Sequence, residues 1–211
     1  MLSIYSSTTL LFFLLFYILS GISSEWIDSL YRKHPETLTY PAETSRRALF
    51  RKPFLFLGSC LLLLPCISSP LPFLVYQLLL IYFLLLVICT DFEQYVIFDR
   101  MLIPFGLLTA PMIFFLKLPV LDHLLAALVG GAVFLLLAIL TRGGIGGGDI
   151  KLIFVLGLWL GSKILLGTIL LGFCLGGLAA LFFLVTKRKK KRDFFAYGPY
   201  FSLAALFLAL R

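Results

Sequence analysis

Charge is scarce in this 211-residue chain: Asp, Glu, Lys and Arg make up 13% of it, against about 25% in an ordinary soluble domain. That shortage excludes a soluble globular domain. The apolar content excludes a disordered chain as well. Cysteine is equally sparse. Cys60, Cys66, Cys89 and Cys174 all sit in apolar runs, and none forms a C-x-x-C pair. No zinc spacing exists among them, and they read as inert buried thiols rather than as a metal site or a disulfide. The two histidines, His34 and His123, fall on opposite predicted sides of a membrane and cannot share a site. No Lys or Arg precedes the first apolar run, so the positive n-region of a secretory signal is lacking. Leu10–Leu19 therefore reads as part of a retained first span. Strict alternation of apolar and polar residues is also missing, which excludes a membrane β-barrel.

What is present is apolar: 61% hydrophobic residues and 16% aromatic, with a mean hydropathy of +1.07. The expected class is an all-α, polytopic membrane protein, because lipid cannot satisfy open backbone groups and spanning segments must be helical. Eight apolar segments can be marked, at 3–21, 53–69, 71–90, 101–117, 120–140, 150–161, 164–186 and 194–210. The sixth is short for a full span of about 17–25 residues.

The formal net charge of +8 reads as cytoplasmic loops rather than a nucleic-acid surface. With the N-terminus outside, 15 of the 18 basic residues fall on inner segments. They are Arg32, Lys33, Arg46, Arg47, Arg51, Lys52, Arg100, Arg142, Lys151 and the run 187–192. Lys117, Lys163 and Arg211 remain outside. Eight spans with both termini outside fit this asymmetry. The basic run 187–192 reads first as a topology determinant, and second as a contact for anionic lipid. The chain divides into residues 1–52, a first span with a short cytoplasmic loop, and residues 53–211, a seven-helix membrane unit. Within the loop, Ser24–Lys33 has the makings of an amphipathic helix capped by Ser24.

Two acids stand out. Asp91 directly follows the apolar run 71–90, and Asp149 follows the cluster Gly143-Gly144-Ile145-Gly146-Gly147-Gly148 at a predicted helix start. Both belong to the predicted cytoplasmic side. Two carboxylates brought together can share a proton and split into a base that activates water and an acid that protonates the carbonyl. Such a pair titrates as a unit. The glycines let backbone approach backbone or an extended substrate. A helix start also favours an ionised Asp149. Neither a P-loop nor a dinucleotide fingerprint fits this loop. The plain alternative is an interhelical turn with a capping Asp149 and a solvated, helix-terminal Asp91.

Three separated motifs resemble the type IV prepilin peptidase family of G-x-G-D aspartyl membrane proteases. The first runs from Asp91 through Ile97-Phe98-Asp99 to Ile103-Pro104; the second is Gly146-Gly147-Gly148-Asp149-Ile150-Lys151-Leu152; the third is Tyr197-Gly198-Pro199-Tyr200. The resemblance implies that Asp91 and Asp149 are the catalytic pair. Gly146, Gly148, Lys151, Asp99, Gly198 and Pro199 would be supporting or substrate-binding residues. It implies a bacterial cytoplasmic-membrane endopeptidase that removes a short basic leader from prepilins or pseudopilins, with no metal or cofactor. Phe98 stands where the family has proline, so Asp99 reads as a supporting polar residue or a solvated acid. The cysteine pairs tied to N-methylation in bifunctional members are absent from the 22–52 loop, and methyltransferase activity is not expected. Presenilin-like enzymes share the G-x-G-D loop, but their Tyr-Asp and Pro-Ala-Leu motifs do not occur at matching places. A small transporter or a noncatalytic assembly protein is the rival reading.

Overall fold

The computed structural model describes residues 2–186 and 196–211. The basic run 187–192 lies outside the described residues. The described secondary structure is helical, with no strand, as the composition requires.

The first helix, α1 (Leu2–Lys33), corrects one expectation. Ser24 starts no separate amphipathic helix; the first span runs on without a break through Lys33. Gly21 is the sole breaker residue in that stretch and nothing follows it to stop the helix. Ser20 turns its hydroxyl back onto the Tyr17 carbonyl at 2.8 Å, the bond a serine makes inside a helix rather than at its cap. Arg32 and Lys33 close α1, where its dipole favours cations.

A linking segment with one-turn helices, including α2 (Thr44–Arg47), leads to α3 (Arg51–Leu63) and then α4 (Leu71–Gln94). The segment expected at 101–117 is kinked into α5 (Asp99–Leu107) and α6 (Thr109–Leu116). Pro111 explains the break: it has no N–H to give the Leu107 carbonyl one turn back. Next come α7 (Val120–Leu140), α8 (Gly147–Val185) and α9 (Gly198–Ala209).

Five of the described helical stretches are long and apolar enough to cross a membrane: Pro41–Cys66, Leu71–Gln94, Asp99–Leu116, Val120–Leu140 and Gly147–Val185. Gly198–Ala209 is apolar but shorter. Helix length alone does not yield the expected eight.

Two expected segments, 150–161 and 164–186, form the two arms of α8. Gly161 lies at φ 69°, ψ 177° inside that helix, a backbone region essentially reserved for glycine. Contacts show how sharp the bend is. A Cβ added at Gly130 on α7 would lie 2.9 Å from Leu165 and 3.2 Å from Ile153. On a straight helix those two residues would be about 18 Å apart. The chain therefore doubles back at Gly161, and both arms pack on α7. The far end of the reversal is capped by polar groups. Asp122 accepts from the Ser162 amide at 3.0 Å and the Ser162 hydroxyl at 2.5 Å. His123 Nδ1 donates to the Leu158 carbonyl at 2.7 Å.

An aromatic cluster fixes the first arm against α4 and α5. The fully buried Trp159 ring stacks on Phe105 at 4.9 Å, and Phe105 stacks on Phe83 at 4.9 Å. Trp159 Nε1 donates to the Phe105 carbonyl at 2.8 Å, and the Tyr76 hydroxyl donates to the Trp159 carbonyl at 2.5 Å. Both amphipathic rings thus satisfy their polar tips inside the bundle. The cysteines are all free, but only Cys66 and Cys89 are buried; Cys60 is half-buried and Cys174 exposed, so the expectation of four buried thiols fails at those two. An apolar helix face in lipid has no need to bury its thiol.

Gly161→Ala is expected to lower stability by about 1–3 kcal/mol, since its Cβ would also lie 2.5 Å from Asp122 Oδ2. The check is thermal unfolding in detergent micelles. Gly177→Ala, with nothing within 4 Å of the added Cβ, serves as the opposite case. It is expected to be neutral or to stabilise the helix by about 0.5–1 kcal/mol.

Candidate active site

The polar chemistry gathers at one end of the helices. Asp91 sits in the last turn of α4 and is 5% exposed. That turn ends at Tyr95, which takes a left-handed conformation (φ 56°, ψ 39°) and returns its N–H to the Asp91 carbonyl at 3.0 Å. Residues Val96–Phe98 then lead into α5, with Phe98 extended as its N-cap.

Asp149 sits in the first turn of α8 and is 9% exposed. Gly146 is the N-cap, in extended conformation, and its carbonyl accepts from the Asp149 amide at 3.1 Å. The Asp149 carboxylate reaches back to the Gly146 backbone amide. This is one half of a capping box, an acid at N3 reaching the N-cap amide; Gly146 has no side chain to supply the other half. The capping role expected as the plain alternative is therefore real, and Asp149 has it while facing Asp91.

Asp91, Tyr95, Val96, Ile97, Gly146, Gly147, Gly148 and Asp149 line one cleft of about 230 Å³. The two carboxylates are close enough to repel each other. The third motif closes the site from α9. The Gly198 backbone amide lies against both carboxylates. A Cβ at Gly198 would stand 2.5 Å from Asp91 Oδ2 and 2.9 Å from Ile97, so no other residue fits without moving the acid. Pro199, buried in the first turn of α9, suits a position whose N–H has no partner in the helix. Asp91 Oδ2 has no hydrogen-bond partner among the described residues.

Asp99 and Lys151 behave differently. They pair with each other, Nζ to the two carboxylate oxygens at 2.7 and 2.8 Å, and more than half of each side chain is exposed. The pair ties α5 to α8 beside the cleft rather than lining it. It stands at the head of an apolar groove of about 700 Å³ between α5, α7 and the first arm of α8. Of the residues singled out in the sequence, Asp91, Gly146, Gly148, Asp149 and Gly198 converge on the cleft. Pro199 lies behind it, and Asp99 and Lys151 lie to its side.

Ile97 went unnoticed as a packing residue. It touches the space beside both Gly148, at 3.1 Å from an added Cβ, and Gly198. Its place within the first motif was the available signal. Phe98, where the resemblance calls for proline, is buried against Tyr31, ring centroids 5.9 Å apart.

Comparison with known proteins agrees with this geometry. Residues 78–181 match the model of the type IV leader peptidase family, a segment that holds both aspartates and the Asp99–Lys151 pair. Over that stretch, just under half of the chain, the protein is similar to that family. A prepilin leader peptidase/N-methyltransferase of Bacillus subtilis (strain 168) is 40% identical over 83 residues, covering 37% of this chain and 34% of that protein. The match thus spans about a third of the relative's length. No solved structure matches. Gly198 and Pro199 lie beyond the matched segment; the fold brings them to it.

Because both ends of the Asp99–Lys151 pair face outward, breaking it is expected to cost no more than about 1 kcal/mol. Asp99→Asn and Lys151→Met should therefore melt within a few degrees of the parent in detergent. A large loss would mean the pair bears on folding rather than on the rim of the site.

Proposed function

We propose that this protein is a membrane aspartyl endopeptidase that removes the leader of prepilins or pseudopilins at the cytoplasmic face of the bacterial inner membrane. The observation that carries the reading is the shared cleft. Two buried carboxylates, on facing helix ends of the matched segment, meet beside a glycine loop.

The chemistry follows from two carboxylates that hold one proton between them. The ionised one takes a proton from a water while the protonated one donates to the scissile carbonyl oxygen. The water oxygen bonds to the carbonyl carbon. As the carbon–nitrogen bond breaks, the first carboxyl passes its proton to the leaving amine, a hydroxyl of the tetrahedral intermediate returns one to the second carboxylate as its C=O re-forms, and the pair is back in its starting state. No metal or cofactor enters. The glycines leave the cleft's backbone open to an extended peptide, and the apolar groove gives a hydrophobic segment of the substrate a place beside it.

The positive-inside asymmetry supports the orientation. Arg46, Arg47, Arg51, Arg100, Arg142 and Lys151 lie at or near the helix ends that carry the site, so that end faces the cytoplasm and both termini face outward. Residues 53–211 form the peptidase unit, with 1–52 as a first span and loop.

Co-expression with a candidate prepilin, followed by intact-mass analysis of the pilin, tests the reading. Wild type is expected to remove the leader. Asp91→Asn and Asp149→Asn should each lose at least about 100-fold in rate. Gly198→Ala, which displaces Asp91, should lose about 10- to 100-fold. Full cleavage by either Asn variant would overturn the pair assignment. A product carrying one extra methyl group would assign the second activity in the relative's name, which we do not expect.

A further inference from the structure

Arg51 begins α3 in the middle of an apolar protein, yet it is 2% exposed. A guanidinium taken out of water needs its donors filled. They are. Nε donates to Glu93 Oε1 and Oε2 at 2.8 and 3.1 Å, and Nη2 to Glu93 Oε2 at 2.6 Å. Nη1 donates to Asp28 Oδ1 at 2.7 Å and to the Ser24 carbonyl at 3.0 Å. The Tyr31 hydroxyl adds a bond to Glu93 Oε2 at 3.0 Å.

All these groups lie outside the matched segment except Glu93, two residues after Asp91. Two residues on a helix is a turn of about 200°. Glu93 therefore leaves α4 on nearly the opposite face from Asp91. The next residue is anchored as well. Gln94 Oε1 accepts from the Tyr40 amide at 2.8 Å, and its Nε2 donates to the Tyr40 carbonyl at 3.1 Å. Arg47 Nη1 reaches the Glu93 carbonyl at 3.1 Å. A last helical turn ordinarily frays. This one is held at Glu93 and Gln94 by the 24–51 segment, while Asp91 Oδ2 has no hydrogen bond to hold it.

We propose that Arg51 is a positioning residue: its fork on Glu93 sets the rotation of the last turn of α4 and so aims Asp91 at Asp149. The proposal rests on the peptidase reading for its consequence in rate. Its geometry stands apart from that reading. It also gives the N-terminal segment a task in the site that the matched segment does not supply.

Removing one partner alone would strand a buried charge and risk unfolding. The variant of choice is Arg51→Met with Glu93→Met, which removes both charges together; Asp28, 42% exposed, stays in water. Rates on a purified prepilin are taken per folded molecule, with folded protein counted by size exclusion and melting. Positioning predicts a kcat about 10- to 100-fold lower with KM within about threefold. A purely structural role predicts less folded protein and unchanged kcat, and that result, or an unaffected variant, overturns the proposal.

A second measurement needs no cleavage. In a background with Cys60, Cys66, Cys89 and Cys174 changed to Ala, Asp91→Cys with Asp149→Cys is treated with a short bis-maleimide. Positioning predicts intramolecular cross-linking that falls several-fold when the two Met changes are added at unchanged melting temperature. If wild type cuts no prepilin, the peptidase reading fails, and the cross-linking yield still decides whether Arg51 aims the turn. An undiminished yield overturns it.

Discussion

Two carboxylates held together away from water are the demanding feature of this structure. A charge at membrane depth is expensive, and a pair of like charges more so. The bundle meets the cost by bringing both acids to the helix starts of α8 and α9, where backbone amides are free. Asp149 takes the Gly146 amide across the first turn of α8, and the Gly198 amide serves both acids from α9. Among the described residues, neither acid is given a basic partner inside the cleft. Lys151, two residues from Asp149, points away to Asp99. An ion pair there would leave one carboxylate permanently ionised and end the sharing of a proton that peptide hydrolysis needs.

The same constraint explains the tightness around Gly198. The amide can approach the acids because no Cβ stands between them; the space is already filled by Asp91 Oδ2 and Ile97. Pro199 then starts α9 at once, so the chain spends a single residue at the site before turning back into the apolar layer. Three stretches distant in sequence are locked in one place by van der Waals fit rather than by strong polar bonds.

Much of this was legible in the residues. The apolar runs fixed the class, and most of their breaks fell near observed helix ends or at the Gly161 reversal, the end of α1 at Lys33 apart. Asp91, the glycine loop and Tyr197-Gly198-Pro199-Tyr200 marked the cleft because each breaks an otherwise apolar pattern. Other features left no such mark. Ser24 looked like a cap, since a serine before charged residues carries the same pattern whether it starts a helix or lies inside one. Gly161 sits among glycines that only pack, and its reversal shows in φ, not in composition. The burial of Arg51 was hidden for a different reason. A basic residue at a span boundary is the ordinary sign of a cytoplasmic loop, and nothing local distinguishes one that faces water from one that faces Glu93, 42 residues on.

The two acids are carried by rods pinned in different ways. Asp149 stands about 15 Å along the first arm from Trp159, whose stack on Phe105 and bond to its carbonyl fix the arm at depth. Beyond that, Asp122 and His123 cap the reversal at Gly161. The height of Asp149 is therefore set from the far side of the membrane. Asp91 is set from its own end, by the polar anchors on Glu93 and Gln94 within one turn of it. Between these rods run two short links, Val96–Phe98 and the glycine stretch before Gly146, and both carry few bonds of their own. Any adjustment of one acid against the other must then be taken up in those links. The second of these links holds Gly143 and Gly144, and Gly143 at φ 89° already leaves the conformations other residues prefer.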